Sequence, residues 1–208
     1  MSTSNASSGP GLAEHLQSRH HVPTAGIDAW ERPAPADRAA RSEAVEARIG
    51  TAAARIADPG LRRLFENALA NTLDTTIIAG GSDEHPDTFV LTGDIHAMWL
   101  RDSTAQVWPY LRSVGDDKEL DRIIRGVIRR QAQQVLLDPY ANAFLPEGSE
   151  TEWVSDETEM RPGVHERKWE PDSLSAFCRL SAGYWQVTHS RRPFGKDWLG
   201  ALELLLKT

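Results

Sequence analysis

Cysteine is almost absent from this 208-residue chain: Cys178 stands alone, so no intrachain disulfide can form. A disulfide-stapled fold is excluded, and the usage fits a reducing compartment. No stretch approaches the roughly 18 consecutive apolar residues of a membrane span. The opening MSTSNASSGPGLAEHLQSRHH lacks the basic-then-apolar order of a secretory signal. The expected location is therefore cytoplasmic. Excess positive charge is missing too. A net charge of -7 argues against nucleic acid and against an anionic membrane surface as partners. The seven His residues (15, 20, 21, 85, 96, 165 and 189) form no HxxxH or Cys–His set. Glu147 to Glu159 holds six acids without the close, regular oxygen-ligand pattern of a calcium loop, and reads as a solvated acidic loop. No phosphate loop, dinucleotide fingerprint or nucleophile elbow is found. Neither a metal nor a cofactor is expected.

Apolar content of 40% and charge of 25% are ordinary for a globular protein. The unusual stretch runs from Asp87 to Leu111, DTFVLTGDIHAMWLRDSTAQVWPYL. Acids, an arginine and two tryptophans sit there among Val90, Leu91, Ile95, Met98 and Leu100, where charge is costly unless paired or used. Such a set can grip a sugar. Carboxylates accept from hydroxyls, Arg offers a planar fork of donors, and an indole face covers the C–H face of a pyranose. A structural alternative stands beside it: Ser103 and Gln106 as a capping box, Arg101 as an ion-pair partner, the Trp residues as core.

Residues 1–38, rich in Ser, Gly, Pro, Ala and His, read as a disordered arm. Helices are expected at Arg38–Ile56 and Leu61–Leu73, separated by a stop at Asp58-Pro59-Gly60. The second carries Leu61, Leu64, Phe65, Ala68 and Leu69 on one face. Thr75–Ile78 and Phe89–Thr92 read as extended. From about His96 to Val114 the pattern is helical with a kink at Pro109, which places Asp94, Met98 and Asp102 on one face. Lys118–Leu137 is amphipathic, with Leu120, Ile123, Ile124, Val127, Ile128 and Val135 forming its stripe. Residues 139–171 read as a long connection without a clear element. Asp172 or Ser173 then caps a helix to about Val187, with Leu174, Phe177, Cys178, Ser181, Tyr184 and Trp185 as its stripe. A last helix covers Lys196–Leu206. Helix pairs with long loops suit either a bundle or part of an α/α barrel.

The signature resembles that of the metal-independent α-mannosidases of glycoside hydrolase family 125. The matching residues are Asp87-Thr88-Phe89-Val90, Thr92-Gly93-Asp94-Ile95, Ala97 to Ser103 and Gln106 to Leu111. Asn71 to Thr76, Tyr140 to Phe144 and His165 to Leu174 fit in the right order. Leu145, and Ser175-Ala176-Phe177, depart from the pattern.

The resemblance implies an all-α fold, with 39–208 forming the N-terminal portion of an (α/α)6 barrel, and an exo-acting, inverting, metal-independent enzyme cleaving α-1,6-linked mannose from a glycan. Inversion requires two carboxyl groups about 6.5–9.5 Å apart. By resemblance that acid Asp and base Glu lie beyond Thr208, so no catalytic residue is expected within this chain. The expected substrate-binding residues are Asp94, Met98, Trp99, Arg101, Asp102, Asn142, Lys168, Glu170 and Asp172. Two alternatives stay open: a non-catalytic remnant or mannose-binding module, and a different α/α-barrel glycosidase or polysaccharide lyase. A lyase acting on uronates needs more basic residues than Arg101 near its acids.

Overall fold

The computed structural model describes residues 31–93, 95–155 and 157–208. The expected arm over residues 1–30 therefore lies outside the described residues. Residues 32–38 are fastened down. Arg32 reaches Glu46 at 2.9 and 2.5 Å and Asp74 at 2.7 Å, and Arg38 donates to Glu46 at 2.9 Å. The packed body thus takes in Arg32, upstream of the expected boundary at 38.

Helix α1 is Glu43–Ala53; the Ser42 hydroxyl accepts from the Val45 N–H and caps it. Helix α2 is Pro59–Asn71. Asp58-Pro59, expected to stop the first helix, instead starts the second. The Asp58 carboxylate accepts from the Leu61 N–H at 2.7 Å, and Pro59 occupies a first-turn position whose N–H would be unused. Of the apolar face expected on α2, Leu61 and Leu64 are exposed at 56% and 46%.

A π turn, Thr72–Thr76, leads into β1, Ile77–Gly81, which pairs antiparallel with β2, Pro86–Val90, so that Ile77 faces Val90 and Gly81 faces Pro86. Gly81 has φ of +68°, and a Cβ there would lie 2.1 Å from the His85 carbonyl oxygen. The hairpin turn therefore requires glycine.

Strand β3 is Met98–Trp99, and helix α3 follows as Leu100–Val107. This corrects the helix expected from His96. Trp99 N–H donates to the Thr92 hydroxyl and Leu100 N–H to the Asn142 carbonyl, so these donors are taken up across the chain rather than along it. Met98 and Asp102 consequently share no helical face; Asp94 lies outside the described residues. At Trp108 the chain tightens into a 3-10 segment to Asp116, with Pro109 in its first turn.

Helix α4, Lys118–Leu137, matches its expected limits. Asp117 accepts from the Glu119 and Leu120 N–H groups at 3.0 Å each. Leu120, Ile123, Ile124, Val127, Ile128 and Val135 are fully buried, and α4 packs on β2 and on the last two helices. The 139–171 connection holds two short strands, β4 (Ala143–Phe144) and β5 (Val164–Glu166). With β3 they form an antiparallel sheet in the order β3-β4-β5. The all-α expectation is corrected to mostly helical with two small sheets.

Helix α5, Pro171–Thr188, has Glu170 at its cap rather than Asp172 or Ser173, because Pro171 fits the first helical position. Leu174, Phe177, Ser181 and Tyr184 are buried, Cys178 is half-buried, and Trp185 is exposed. Helix α6 is Lys196–Leu205. Among the described residues no helix is long and apolar enough to cross a membrane.

Candidate functional site

The β3-β4-β5 sheet meets the first turns of α3 and α5, and most of the expected site residues gather there. Arg101, in the first turn of α3, reaches across to the start of α5. Its Nη1 lies 2.9 Å from Glu170 and 3.1 Å from Asp172, and its Nη2 lies 3.5 Å from Asp102. Burial opposes the Arg101 charge, and the three carboxylates outweigh it, so its pKa rises. Ser173 Oγ donates to Glu170 at 2.9 Å, which fixes the acid at the helix entrance.

A second wall centres on Glu166. Its Oε2 accepts from the Trp99 indole N–H at 3.4 Å and from the Asn142 amide at 2.7 Å, while its Oε1 pairs with Lys168 Nζ at 2.5 Å. Burial pushes the Glu166 carboxyl up, and these donors outweigh it, so its pKa falls below the usual range. The Trp99 ring also meets the His165 ring edge-on at 5.3 Å. His165, in turn, sits against Thr151 of the acidic loop at 3.3 Å. Burial lowers the His165 pKa, against the pull of Glu152 and Glu166.

Not every expected residue is available to a ligand. Met98 is fully buried, and its sulfur accepts from the Val90 N–H, so it packs beneath the site instead of lining it. Asn142 is 1% exposed. It acts as a connector: its side-chain oxygen accepts from the Lys168 N–H at 3.0 Å while its amide holds Glu166. Trp99, Arg101, Asp102, Lys168, Glu170 and Asp172 keep accessible surface. The capping-box alternative fails. Helix α3 begins after Trp99 with no side-chain cap, Ser103 donates to the Leu100 carbonyl, and the Gln106 amide donates to the Leu91 carbonyl. Asp102 Oδ2 is buried with no hydrogen-bond partner among the described residues.

Gln131 escaped the sequence reading, and Glu166 fell within the matching His165 to Leu174 segment without being expected at the site. Gln131, buried in α4, donates to the Leu100 carbonyl at 3.1 Å, Ser103 Oγ at 2.9 Å and Thr104 Oγ1 at 3.0 Å, and so holds the start of α3. Its signal was a polar residue in register with the apolar stripe at Ile124, Val127 and Ile128. Glu166 had a signal in the i, i+2, i+4 spacing of Glu166, Lys168 and Glu170, which an extended chain turns to one side.

Four carboxylates (Asp102, Glu166, Glu170 and Asp172) face two cations (Arg101 and Lys168), so the cluster carries excess negative charge. Neutral hydroxyls suit it better than anionic groups. Among the described residues, no group of three or more His, Cys, Asp or Glu is placed to hold a metal ion.

Comparison with known proteins gives the same direction. The Schizosaccharomyces pombe (strain 972 / ATCC 24843) "Meiotically up-regulated gene 157 protein" is 38% identical over 201 residues, covering 91% of this chain and 39% of that protein. A solved Streptococcus pneumoniae structure superposes with a TM-score of 0.74 at 36% identity, covering 81% of this chain and 39% of that one. It is described as a metal-independent α-mannosidase in a non-productive complex with α-1,6-mannobiose. The chain thus spans 39% of the length of each relative. Residues 58–208 match the profile of the metal-independent α-mannosidases, and the chain belongs to that family, glycoside hydrolase family 125.

Proposed function

We propose that this chain forms the sugar-holding part of an exo-acting α-mannosidase that releases α-1,6-linked mannose with inversion and without a metal. The observation that carries the reading is the polar cluster around Arg101. Its guanidinium keeps accessible surface while Glu170 and Asp172 pin it between α3 and α5, with Asp102 3.5 Å away. A fixed, accessible fork of donors beside carboxylates is what sugar hydroxyls require. Trp99 supplies the apolar surface for the C–H face of the ring, and Lys168, Glu170 and Asp172 supply polar contacts at the rim.

None of these carboxylates is assigned as general acid. That role needs a raised pKa, and the Glu166 pKa is lowered; Glu170 and Asp172 are taken up in pinning Arg101. By family resemblance the acid Asp and base Glu come from segments outside these 208 residues. The engaged carboxylates also favour a second reading, mannoside binding without turnover. The excess negative charge tells against a lyase acting on uronates.

The test is calorimetric titration of the chain with α-1,6-mannobiose, alongside NMR of the released anomer. Saturable binding is expected. In a polypeptide spanning the full length of the relatives, β-mannose should appear first and a chelator should have no effect. Absence of mannobiose binding by the wild-type chain overturns both readings, and binding without turnover at full length selects the second.

A further inference from the structure

Trp99 is useful to a sugar only if its ring is held at one angle, and the contacts that hold it are unusual. A tryptophan side chain turns about two bonds, and a half-buried ring leaves that freedom partly open. Here the ring is held at two points from neighbouring positions of β5: the indole N–H by Glu166 Oε2, and the ring by its T-shaped contact with His165. Rotation of the indole breaks the first and displaces the second.

The geometry points to Glu166 as a positioning residue that sets the plane of the Trp99 indole against the apolar face of the bound hexose, an inference that rests on the mannoside reading above. Glu166 can do this because its own carboxylate is over-determined. Besides the indole it accepts from Asn142 and pairs with Lys168. Asn142 is itself immobilised: its N–H donates to the Glu166 carbonyl at 3.2 Å and its carbonyl accepts from Leu100 at 3.2 Å. Turning the carboxylate therefore costs three interactions, not one. Its side chain is only 18% exposed, so it stands behind the indole rather than presenting itself to the ligand. Trp99 is also the residue from which α3 starts, two and three positions before Arg101 and Asp102. One carboxylate thus fixes the stacking surface next to the Arg101 cluster. Pre-organisation of this kind tightens binding by removing motion that the ligand would otherwise have to arrest.

The chain has seven tryptophans, so indole-labelled protein gives a short spectrum in which Trp99→Phe assigns the Trp99 N–H resonance by its loss. That resonance, thermal stability and affinity for α-1,6-mannobiose are then measured in Glu166→Ala and Glu166→Gln. In the alanine variant the Trp99 resonance should move while the other indoles stay. Affinity should fall about tenfold. Glutamine keeps an oxygen for the indole and should restore most of both. If the alanine variant does not fold, Glu166→Asp withdraws the acid from the indole by one methylene, and the same two readouts apply. An unmoved Trp99 resonance with mannobiose still bound overturns the positioning role alone. A moved resonance with unchanged affinity overturns its link to the sugar. Failure of the wild-type chain to bind mannobiose is a different result, since it sinks the mannoside reading whatever the resonance does.

Discussion

Asp102 keeps one carboxylate oxygen buried, without a hydrogen bond of its own but 3.5 Å from the Arg101 guanidinium. Arg101 keeps Glu170 and Asp172 when Asp102 is removed. Asp102→Ala should therefore leave thermal stability within about 1 kcal/mol of wild type, since half-exposed ion pairs contribute little. In a full-length version, Asp102→Ala and Arg101→Ala should each cut turnover by roughly two orders of magnitude or more. Near-normal turnover in both variants removes them from the site. Protonation should act on the second wall in two stages. His165 has a folded pKa below its ordinary value of about 6.5. Its contribution is present above that value and is lost as pH falls through the folded pKa. Glu166 is likewise depressed, so its contribution is present above about 4.3 and is lost as pH falls through a still lower folded value. Urea midpoints should therefore begin to drop below about pH 6.5, and His165→Gln should flatten that first step. The Trp99 indole resonance should hold its Glu166-bonded position down to about pH 4. A wild-type midpoint flat from pH 7 to 4 contradicts the His165 stage.

Elements whose determinants are local were legible, and those made by distant partners were not. Helix α4 announced itself because its apolar stripe repeats at 3.6 residues over 20 positions. The start of α3 was misplaced because Thr92 and Asn142 take the donors that a helix from His96 would use. Strands of two residues carry no period to read. At the site, family resemblance, not spacing, put Arg101, Glu170 and Asp172 among the substrate-binding residues, but the ion pairs of Arg101 with Glu170 and Asp172, the contacts of Glu166 and the part played by Gln131 required the fold. Cap residues show how local signals can also be long-range. Ser42, the cap of α1, donates to Asp117, the cap of α4, at 2.7 Å. Burial opposes the Asp117 charge, but the Ser42 hydroxyl and the backbone N–H groups outweigh it and depress its pKa. Asp117→Ala removes both services and should cost about 1–2 kcal/mol, with Asp117→Asn recovering the larger part. Close approach of α4 to the β1–β2 hairpin gives a sharper test. A Cβ on Gly126 would lie 2.2 Å from Thr88 Oγ1. Gly126→Ala should destabilise by about 1–3 kcal/mol in chemical denaturation, and adding Thr88→Ala should return part of that. A neutral Gly126→Ala contradicts the packing of α4 on β2.

Over the whole molecule, apolar surface is distributed unevenly between a closed centre and open flanks. The centre, around α4, buries its stripe completely. Helix α2 leaves Leu61 and Leu64 in solvent, and α6 with its end leaves Leu199 at 53% and Leu206 at 77% exposed. Single exposed leucines are ordinary, but two on one helix at helical spacing make a stripe, and a stripe lowers the free energy of any contact that covers it. The flanking faces also explain why helical periodicity overestimated the core: α2 reads as amphipathic, yet only Ala70 of its residues is buried. Periodicity reports which side is apolar, not whether anything covers it. The 208-residue chain should therefore associate as concentration rises, against the repulsion of its net charge of -7. Salt, by screening that repulsion, should promote the association. Leu199→Lys with Leu206→Lys should weaken it and leave the melting temperature unchanged, because neither side chain contributes to the closed centre. Sedimentation velocity across a hundredfold concentration range, about that of routine practice, reads the outcome. A wild-type chain that stays monomeric throughout shows that the open stripes are tolerated as surface, whereas association unaltered by the double substitution moves the contact to α2.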